Sequence, residues 1–238
     1  MYQTVTISAR PEAITLNPQE TAVIVVDMHN AFALKSGCWD SLRIDETGAQ
    51  AIIETINSVL HVSRQAGMPI IFLQNSWSTQ LHEVSSSLSQ HWHKSNAPRL
   101  IRDRAEPPGR ETPSKAWDAK LIEGITPQPE DFVLQKHRYS GFWGTHLDRL
   151  LRGRCIRNLI FTGVATSVCV ESTLRDSFSL KYCPILLSDA MLQIGPQSIQ
   201  NATVGNVEKF FGWVSTTSEY ITALKGVLSS MQKIHSLF

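Results

Sequence analysis

Segments typical of strands and helices alternate along this chain from residue 21 onwards, and no other feature constrains its fold as strongly. A strand followed by a helix and another strand normally builds a parallel sheet with helices on its faces. The segment TAVIVVD at 21–27 is an apolar run that ends on an acid, as in a strand buried on both faces. The pattern predicts an α/β fold, a three-layer α/β/α sandwich around a mainly parallel sheet.

Local patterns place the other predicted elements within one domain that covers residues 1–238. An irregular, polar segment at about 75–115 interrupts the alternation, and a long insertion of this kind is typical of a pocket-forming loop. Further strands are predicted at 69–73, 131–136, 158–163 and 184–187, with a short extended segment at 213–216. Helices are predicted at 47–66, 145–151, 168–180 and 198–210, and from 219 onwards.

The composition favours a globular protein without a polymeric partner. Hydrophobic residues make up 42% and charged residues 18% of the 238 residues, so the chain can bury a substantial core. The net charge of +1 provides no field that would attract nucleic acid or anionic lipid. The N-terminal residues lack a signal-peptide pattern, and no apolar run is long enough to span a membrane. We therefore expect a cytoplasmic protein with no nucleic-acid or membrane partner.

Reactive side chains stand at the ends of three predicted strands. Asp27 ends the first strand, Lys136 ends the third, and the segment GVATSVC after the fourth leads to Cys169 at the start of a helix. In open α/β sheets, ligands bind beyond the carboxyl ends of the strands. The topology therefore predicts that these three side chains meet in one crevice.

The three groups suit the hydrolysis of an amide by a cysteine nucleophile. A helix N-terminus and the nearby Lys136 ammonium would lower the pKa of the Cys169 thiol. Asp27 would accept the thiol proton as general base and return it to the leaving amine as general acid. The backbone N–H groups of Ala165 and Cys169 would form an oxyanion hole for the tetrahedral intermediate.

Each of these residues also has a structural alternative. The four cysteines show no CxxC spacing, so we expect reduced thiols, and a cysteine among apolar residues is usually a small core residue. Asp27 would then cap a turn, and Lys136 would be solvated. Only their joint placement in one predicted crevice favours the catalytic interpretation.

The motifs around these residues resemble those of the isochorismatase-like cysteine hydrolases. They read IVVDMHNAF around Asp27, QKHRYSGF around Lys136 and IFTGVATSVCVESTLRDSF around Cys169. The resemblance implies an isochorismatase-like (Rossmann-like) hydrolase fold, in which these three residues form the catalytic triad. It also implies a cis peptide bond between Val164 and Ala165, and it implies no cofactor.

Within this superfamily the chain is similar to the ureidoacrylate amidohydrolases of pyrimidine degradation. The shared motifs are ARPEAI at 9–14, HKSNA at 93–97, RYSGF at 138–142 and FFGWVS at 210–215. The resemblance implies that ureidoacrylate or its peroxy form is cleaved to an aminoacrylate and carbamate through a thioester. The segment 98–115 differs from those enzymes, so a sibling hydrolase for an N-carbamoyl amino acid, a biuret-like compound or another small amide stays open. A catalytically silent binding module is the alternative outside enzymes.

Polar side chains near the predicted crevice are candidates for holding such a small ureido or amide substrate. The amide end needs hydrogen-bond partners, and the carboxylate needs donors or a cation. The candidate amide contacts are Asn75, Trp77, Asn96 and Tyr139, and the candidate carboxylate partners are Arg138 and Lys94.

We expect no metal site. His91 and His93 are the tightest histidine cluster, but no nearby aspartate or glutamate completes a plausible set of metal ligands. The segment QNSW at 74–77 also lacks the Asp-x-His element of the related, metal-binding nicotinamidases.

The C-terminal helix predicts self-association. An apolar stripe on a terminal helix covers either the core or a partner subunit, and the superfamily often forms dimers or tetramers. We therefore expect a homo-oligomer. The stripe consists of Leu224, Val227, Leu228, Met231 and Ile234.

Overall fold

The computed structural model describes residues 4–30, 46–75, 120–193 and 195–235, with side chains from residue 51 in the second range and up to 229 in the last. The predicted insertion at about 75–115 lies outside these ranges, apart from residue 75. Within the described part, no helix is long and apolar enough to cross a membrane.

A six-stranded sheet forms the centre of the protein, and all of its neighbouring strands pair in parallel. Its strand order is β5-β4-β3-β6-β7-β8, so β3 and β6 are central. The parallel sheet predicted from the sequence is confirmed. The strands are β3 (Thr21–Val26), β4 (Ile70–Asn75), β5 (Phe132–Lys136), β6 (Asn158–Val164), β7 (Cys183–Leu192) and β8 (Trp213–Ser215).

Two short N-terminal strands, β1 (Val5–Ile7) and β2 (Ile14–Leu16), form a separate antiparallel pair. The sequence patterns did not predict this pair, because three-residue strands are too short for a clear alternation. β1 contacts the C-terminal helix, and the inward side chains of both strands join the core on that side.

Helices cover both faces of the sheet and produce the predicted three layers. The long helices α1 and α5 pack on one face, and α2 and α3 pack on the other. In β3, Val23 and Val25 face the first layer while Ile24 and Val26 face the second, so the strand is apolar throughout. The helices are α1 (Glu46–Gln65), α2 (Leu147–Gly153), α3 (Glu171–Ser179), α4 (Gln197–Asn206) and α5 (Thr217–His235).

The apolar stripe of α5 covers the core of this same chain. Leu224 is fully buried, and Val227 and Leu228 pack against the core cluster that contains α1. The side chains of Met231 and Ile234 lie outside the described residues. The described part of the stripe is therefore explained without a partner subunit, and self-association stays a prediction.

Gly163 in β6 allows the two central strands to approach each other closely. Its φ is +115°, and a Cβ added there would lie 2.1 Å from the Val26 carbonyl oxygen. No side chain fits that space unless the backbone moves. The glycine is thus required at the point where β6 turns towards the predicted crevice.

We expect Gly163→Ala to destabilise the fold by about 3 kcal/mol, because it combines a strained backbone with overpacking. Urea unfolding measures this loss. Gly205→Ala in α4 is the matched control, since nothing lies within 4 Å of the added Cβ and no strained φ is present there. The control should gain about 0.5–1 kcal/mol, and equal stability of the two variants would contradict the steric argument.

Candidate active site

The three predicted residues meet where the strand order changes direction. The chain leaves β3 towards β4 and β5 on one side, and continues from β6 to β7 and β8 on the other. Such a switch point opens a crevice at the carboxyl ends of the strands. Asp27 directly follows β3, Lys136 is the last residue of β5, and Cys169 lies in the turn after β6.

Asp27 and Lys136 form a buried ion pair. The Lys136 Nζ donates a hydrogen bond to Asp27 Oδ2 at 2.7 Å, and both side chains are almost fully buried. Lys136 also donates to the Arg138 carbonyl oxygen at 3.1 Å. Asp27 has a φ of +51°, a left-handed conformation that aspartate tolerates better than most residues. Lys136 is therefore fixed by two acceptors, and it is not solvated as the structural alternative required.

Cys169 lies in a single π-helical turn, Thr166–Val170, that leads directly into α3. The peptide bond between Val164 and Ala165 before this turn is cis, as the resemblance implied. Thr173 holds the turn by donating its hydroxyl hydrogen to the Cys169 carbonyl oxygen at 2.7 Å. The Cys169 side chain is buried, and its thiol lies close enough to Asp27 and Lys136 for both charges to act on it.

The charges of the ion pair persist across the neutral pH range. Burial opposes ionisation of Asp27, but Lys136 and His29 outweigh it and hold the carboxyl pKa below its ordinary 3.8. Burial also opposes the charge of Lys136, while Asp27 raises the pKa of the ammonium above 10.5. The carboxylate's stabilising contribution is present above pH 3.8 and is lost as the pH falls through its lowered pKa. The ammonium's contribution is present below pH 10.5 and is lost as the pH rises through its raised pKa.

The expected lowering of the Cys169 thiol pKa is wrong for the resting site. Burial raises this pKa most strongly, Lys136 lowers it and the Asp27 carboxylate raises it again. The nearby cation and the helix terminus favour the thiolate, but neither compensates for full burial beside a carboxylate. The thiol is thus protonated at neutral pH.

The backbone around Cys169 leaves the predicted oxyanion hole as a proposal. The N–H groups of Val168 and Val170 both donate to the Ala165 carbonyl oxygen, at 3.1 and 3.2 Å. The Ser167 N–H donates to the Gln193 side-chain oxygen at 3.0 Å. These bonds fix the turn that carries the two predicted donors, the N–H groups of Ala165 and Cys169.

Three of the predicted substrate contacts lie within the described residues. Asn75 ends β4 beside Asp27, where its side-chain oxygen is buried and has no hydrogen-bond partner among the residues that the structure describes. Arg138 and Tyr139 follow β5, and both are partly buried. The Arg138 guanidinium donates to the His137 carbonyl oxygen at 2.9 Å, and Tyr139 packs against the core. The other candidates, Trp77, Asn96 and Lys94, lie outside the described residues.

His29 contacts this site and was not predicted. Its side chain is 1% exposed, and its Nε2 lies 3.4 Å from Asp27 Oδ1. The only signal in the sequence is its position two residues after Asp27 in DMHNAF. Such spacing alone does not bring side chains together, but the left-handed backbone at Asp27 does.

Within the described ranges, no three histidine, cysteine, aspartate or glutamate side chains lie together in a way that could hold a metal ion. His91 and His93, the cluster considered in the sequence, lie outside these ranges.

A parallel α/β sheet with a buried thiol, carboxylate and ammonium at its switch point defines the class of α/β cysteine hydrolases. The isochorismatase domain matches residues 21–219, and the chain belongs to the isochorismatase family. The resemblance stated from the sequence motifs is thereby confirmed.

Comparisons with individual proteins agree with this assignment. The ureidoacrylate amidohydrolase RutB of Agrobacterium fabrum is 47% identical over 215 residues, covering 90% of this chain and 94% of the relative. RutB of an Enterobacter species is 48% identical, covering 92% of this chain and 95% of the relative. The crystal structure of a cysteine hydrolase from Pseudomonas syringae pv. phaseolicola superposes with a TM-score of 0.71 at 28% identity, covering 89% of this chain and 95% of that one.

Proposed function

We propose that this protein hydrolyses the ureido C–N bond of ureidoacrylate or peroxyureidoacrylate through a covalent intermediate on Cys169. The observation that carries the mechanism is the buried thiol within reach of the buried Asp27 and Lys136 pair. The relatives support an amide-cleaving hydrolase, and ureidoacrylate is the substrate in the names of those that are 47–48% identical over at least 90% of this chain.

The first half of the reaction forms a carbamoyl thioester. Because the resting thiol is protonated and Asp27 is a weak base, the proton moves from Cys169 to Asp27 as the sulfur–carbon bond forms. The N–H groups of Ala165 and Cys169 bind the oxygen that becomes negative. The intermediate then collapses, the C–N bond breaks, and Asp27 returns the proton to the departing nitrogen of aminoacrylate.

Water completes the cycle. Asp27 removes a proton from a water molecule that attacks the thioester carbonyl, and the sulfur leaves and regains a proton. The product carbamate decomposes to ammonia and carbon dioxide. Throughout these steps the Lys136 ammonium stabilises negative charge, whether it lies on Asp27 or on the sulfur of Cys169.

The polar groups around the pair suit the two ends of a ureido acid. The buried side-chain oxygen of Asn75 suits an N–H of the ureido group, because a buried acceptor without a partner costs free energy until one arrives. Arg138 and Tyr139 lie on the segment after Lys136, and with Trp77, Asn96 and Lys94 they complete the proposed contacts. The cytoplasmic location and the homo-oligomer stay predictions.

Ammonia release from a substrate panel tests the proposal. We expect the purified protein to turn over ureidoacrylate with a kcat/KM at least roughly a hundredfold above that for 3-ureidopropionate, a difference of about 2.7 kcal/mol. The saturated compound expels an alkylamine, whereas aminoacrylate delocalises the nitrogen lone pair into its carboxylate and leaves more easily.

N-carbamoylglycine and biuret complete the panel, and Cys169→Ala protein gives the background rate. Preferential turnover of either compound would replace the proposed substrate by another carbamoyl compound. A chain that releases ammonia from none of them at a rate above the background would contradict the proposal.

A further inference from the structure

The Asp27 carboxylate is held on both of its oxygens by different groups. Oδ2 accepts from Lys136, and Oδ1 accepts from the backbone N–H of Asn75 at 3.0 Å. The same Asn75 N–H also points at His29 Nε2, at 3.1 Å. The imidazole therefore lies against the side of the carboxylate opposite Lys136, and it shares one backbone donor with Asp27.

We propose that His29 is a positioning residue, which holds the Asp27 carboxylate in the orientation that accepts the Cys169 proton. The inference rests on the proposed role of Asp27 as general base. His29 itself would act through Asp27 and would exchange no proton with the thiol or the substrate.

The backbone around His29 is rigid enough for this task. The His29 N–H donates to the Asp27 carbonyl oxygen at 2.9 Å, which ties the two residues to one another. His29 also pairs with Leu121 in an isolated antiparallel bridge, and the Ile122 N–H donates to the Met28 carbonyl oxygen. The backbone of the segment after β3 is therefore fixed from two sides, and the imidazole itself is held by its burial and by the Asn75 N–H.

The orientation of a carboxylate beside a lysine has to be fixed by other groups if one oxygen is to face the thiol. If nothing fixed its orientation, it could rotate until both oxygens faced the Lys136 ammonium, since the positive charge attracts both of them. No oxygen would then be directed at the thiol. His29 and the Asn75 N–H occupy the space and the hydrogen-bonding direction into which Oδ1 would otherwise turn.

Two substitutions separate positioning from mere filling of space. His29→Gln keeps a polar group at a similar distance from the backbone, and we expect its kcat to stay within about threefold of the wild type. His29→Leu keeps bulk but no nitrogen, and we expect kcat to fall by at least roughly tenfold with KM nearly unchanged, because proton transfer is impaired while binding is not. If the leucine variant does not fold, His29→Met provides the same comparison with a more adaptable side chain.

Alkylation of the thiol gives a readout that does not depend on the substrate. The rate of Cys169 modification by iodoacetamide, followed by mass spectrometry of its peptide, should fall at least roughly tenfold in His29→Leu, because the protonated thiol reacts as a correctly oriented Asp27 takes its proton. A loosened core would have the opposite effect and speed the modification of a buried thiol. The sign of the change therefore distinguishes the two roles, even if ureidoacrylate is not the substrate.

Tyr220→Phe is the control for removing a buried hydrogen-bonding group away from the site. The Tyr220 hydroxyl is buried and hydrogen-bonded to the Ser63 hydroxyl at 2.7 Å, in the core between α1 and α5. This variant should unfold at lower urea concentration while kcat and the alkylation rate stay unchanged. The inference is overturned if His29→Leu keeps wild-type kcat and alkylation, if its alkylation accelerates, or if His29→Gln loses as much activity as His29→Leu.

Discussion

Replacing Cys169 by alanine should abolish turnover while the fold survives. We expect kcat to fall by at least about 1,000-fold, or roughly 4 kcal/mol, because Cys169 is the one thiol that the described residues place in the crevice. The side chain is small and buried, so the loss of one sulfur atom should cost only about 1 kcal/mol of unfolding free energy. Steady-state ammonia release and urea unfolding measure the two effects separately.

The other described cysteines provide matched controls. Cys155 is exposed and Cys183 is partly buried at the start of β7, far along the chain from the crevice turn. Cys183→Ala and Cys155→Ala should keep wild-type kcat. In the wild type, rapid acid quenching during turnover should reveal one carbamoyl group on the Cys169 peptide. Activity of Cys169→Ala near the wild-type level would refute the covalent mechanism.

Replacing Lys136 by methionine should damage both activity and stability. The variant leaves the Asp27 carboxylate buried without its cation, and breaking a buried pair in this way costs about 3–5 kcal/mol. We also expect kcat to fall by roughly a hundredfold or more, because the ammonium stabilises negative charge during the reaction. Urea unfolding and ammonia release measure the two losses.

A double-mutant cycle shows whether the loss arises from the pair. Asp27→Asn together with Lys136→Met removes both charges, and this variant should be more stable than the sum of the two single losses predicts, although it remains inactive. Arg157→Met is the control, because Arg157 and Glu20 form an exposed pair at 3.5 Å, and its loss should cost less than about 1 kcal/mol. Strict additivity in the cycle would contradict a coupled pair.

Much of the fold was predictable because its central strands are buried on both faces. The runs at 21–27 and 158–163 are mostly apolar, and both form central strands. The predicted carboxyl ends of the strands then gave the positions of Asp27, Lys136 and the turn that contains Cys169. The short pair β1 and β2 was missed, since strands of three residues show no usable periodicity.

The sequence was sufficient to predict which three residues form the site, but it did not predict the pKa of the thiol. The state of the Cys169 thiol depends on how deeply the group is buried, and sequence position gives only the neighbours along the chain. His29 was missed for a similar reason, because its contact with Asp27 results from the left-handed backbone at one residue. The apolar stripe on α5 was compatible with packing against either the core or a partner subunit. Only the packing in the structure shows that its described part covers the core.

The protonated state of the Cys169 thiol affects how easily the enzyme is oxidised, as well as its mechanism. Peroxides and peroxy acids oxidise thiolates far faster than thiols, first to a sulfenic acid and then irreversibly. A peroxy acid is one of the two proposed substrates, so an exposed thiolate would be destroyed by the molecule it has to cleave. Because burial and the Asp27 carboxylate keep the sulfur protonated until it meets a carbonyl carbon, we expect the resting thiol to react slowly with an oxidising substrate.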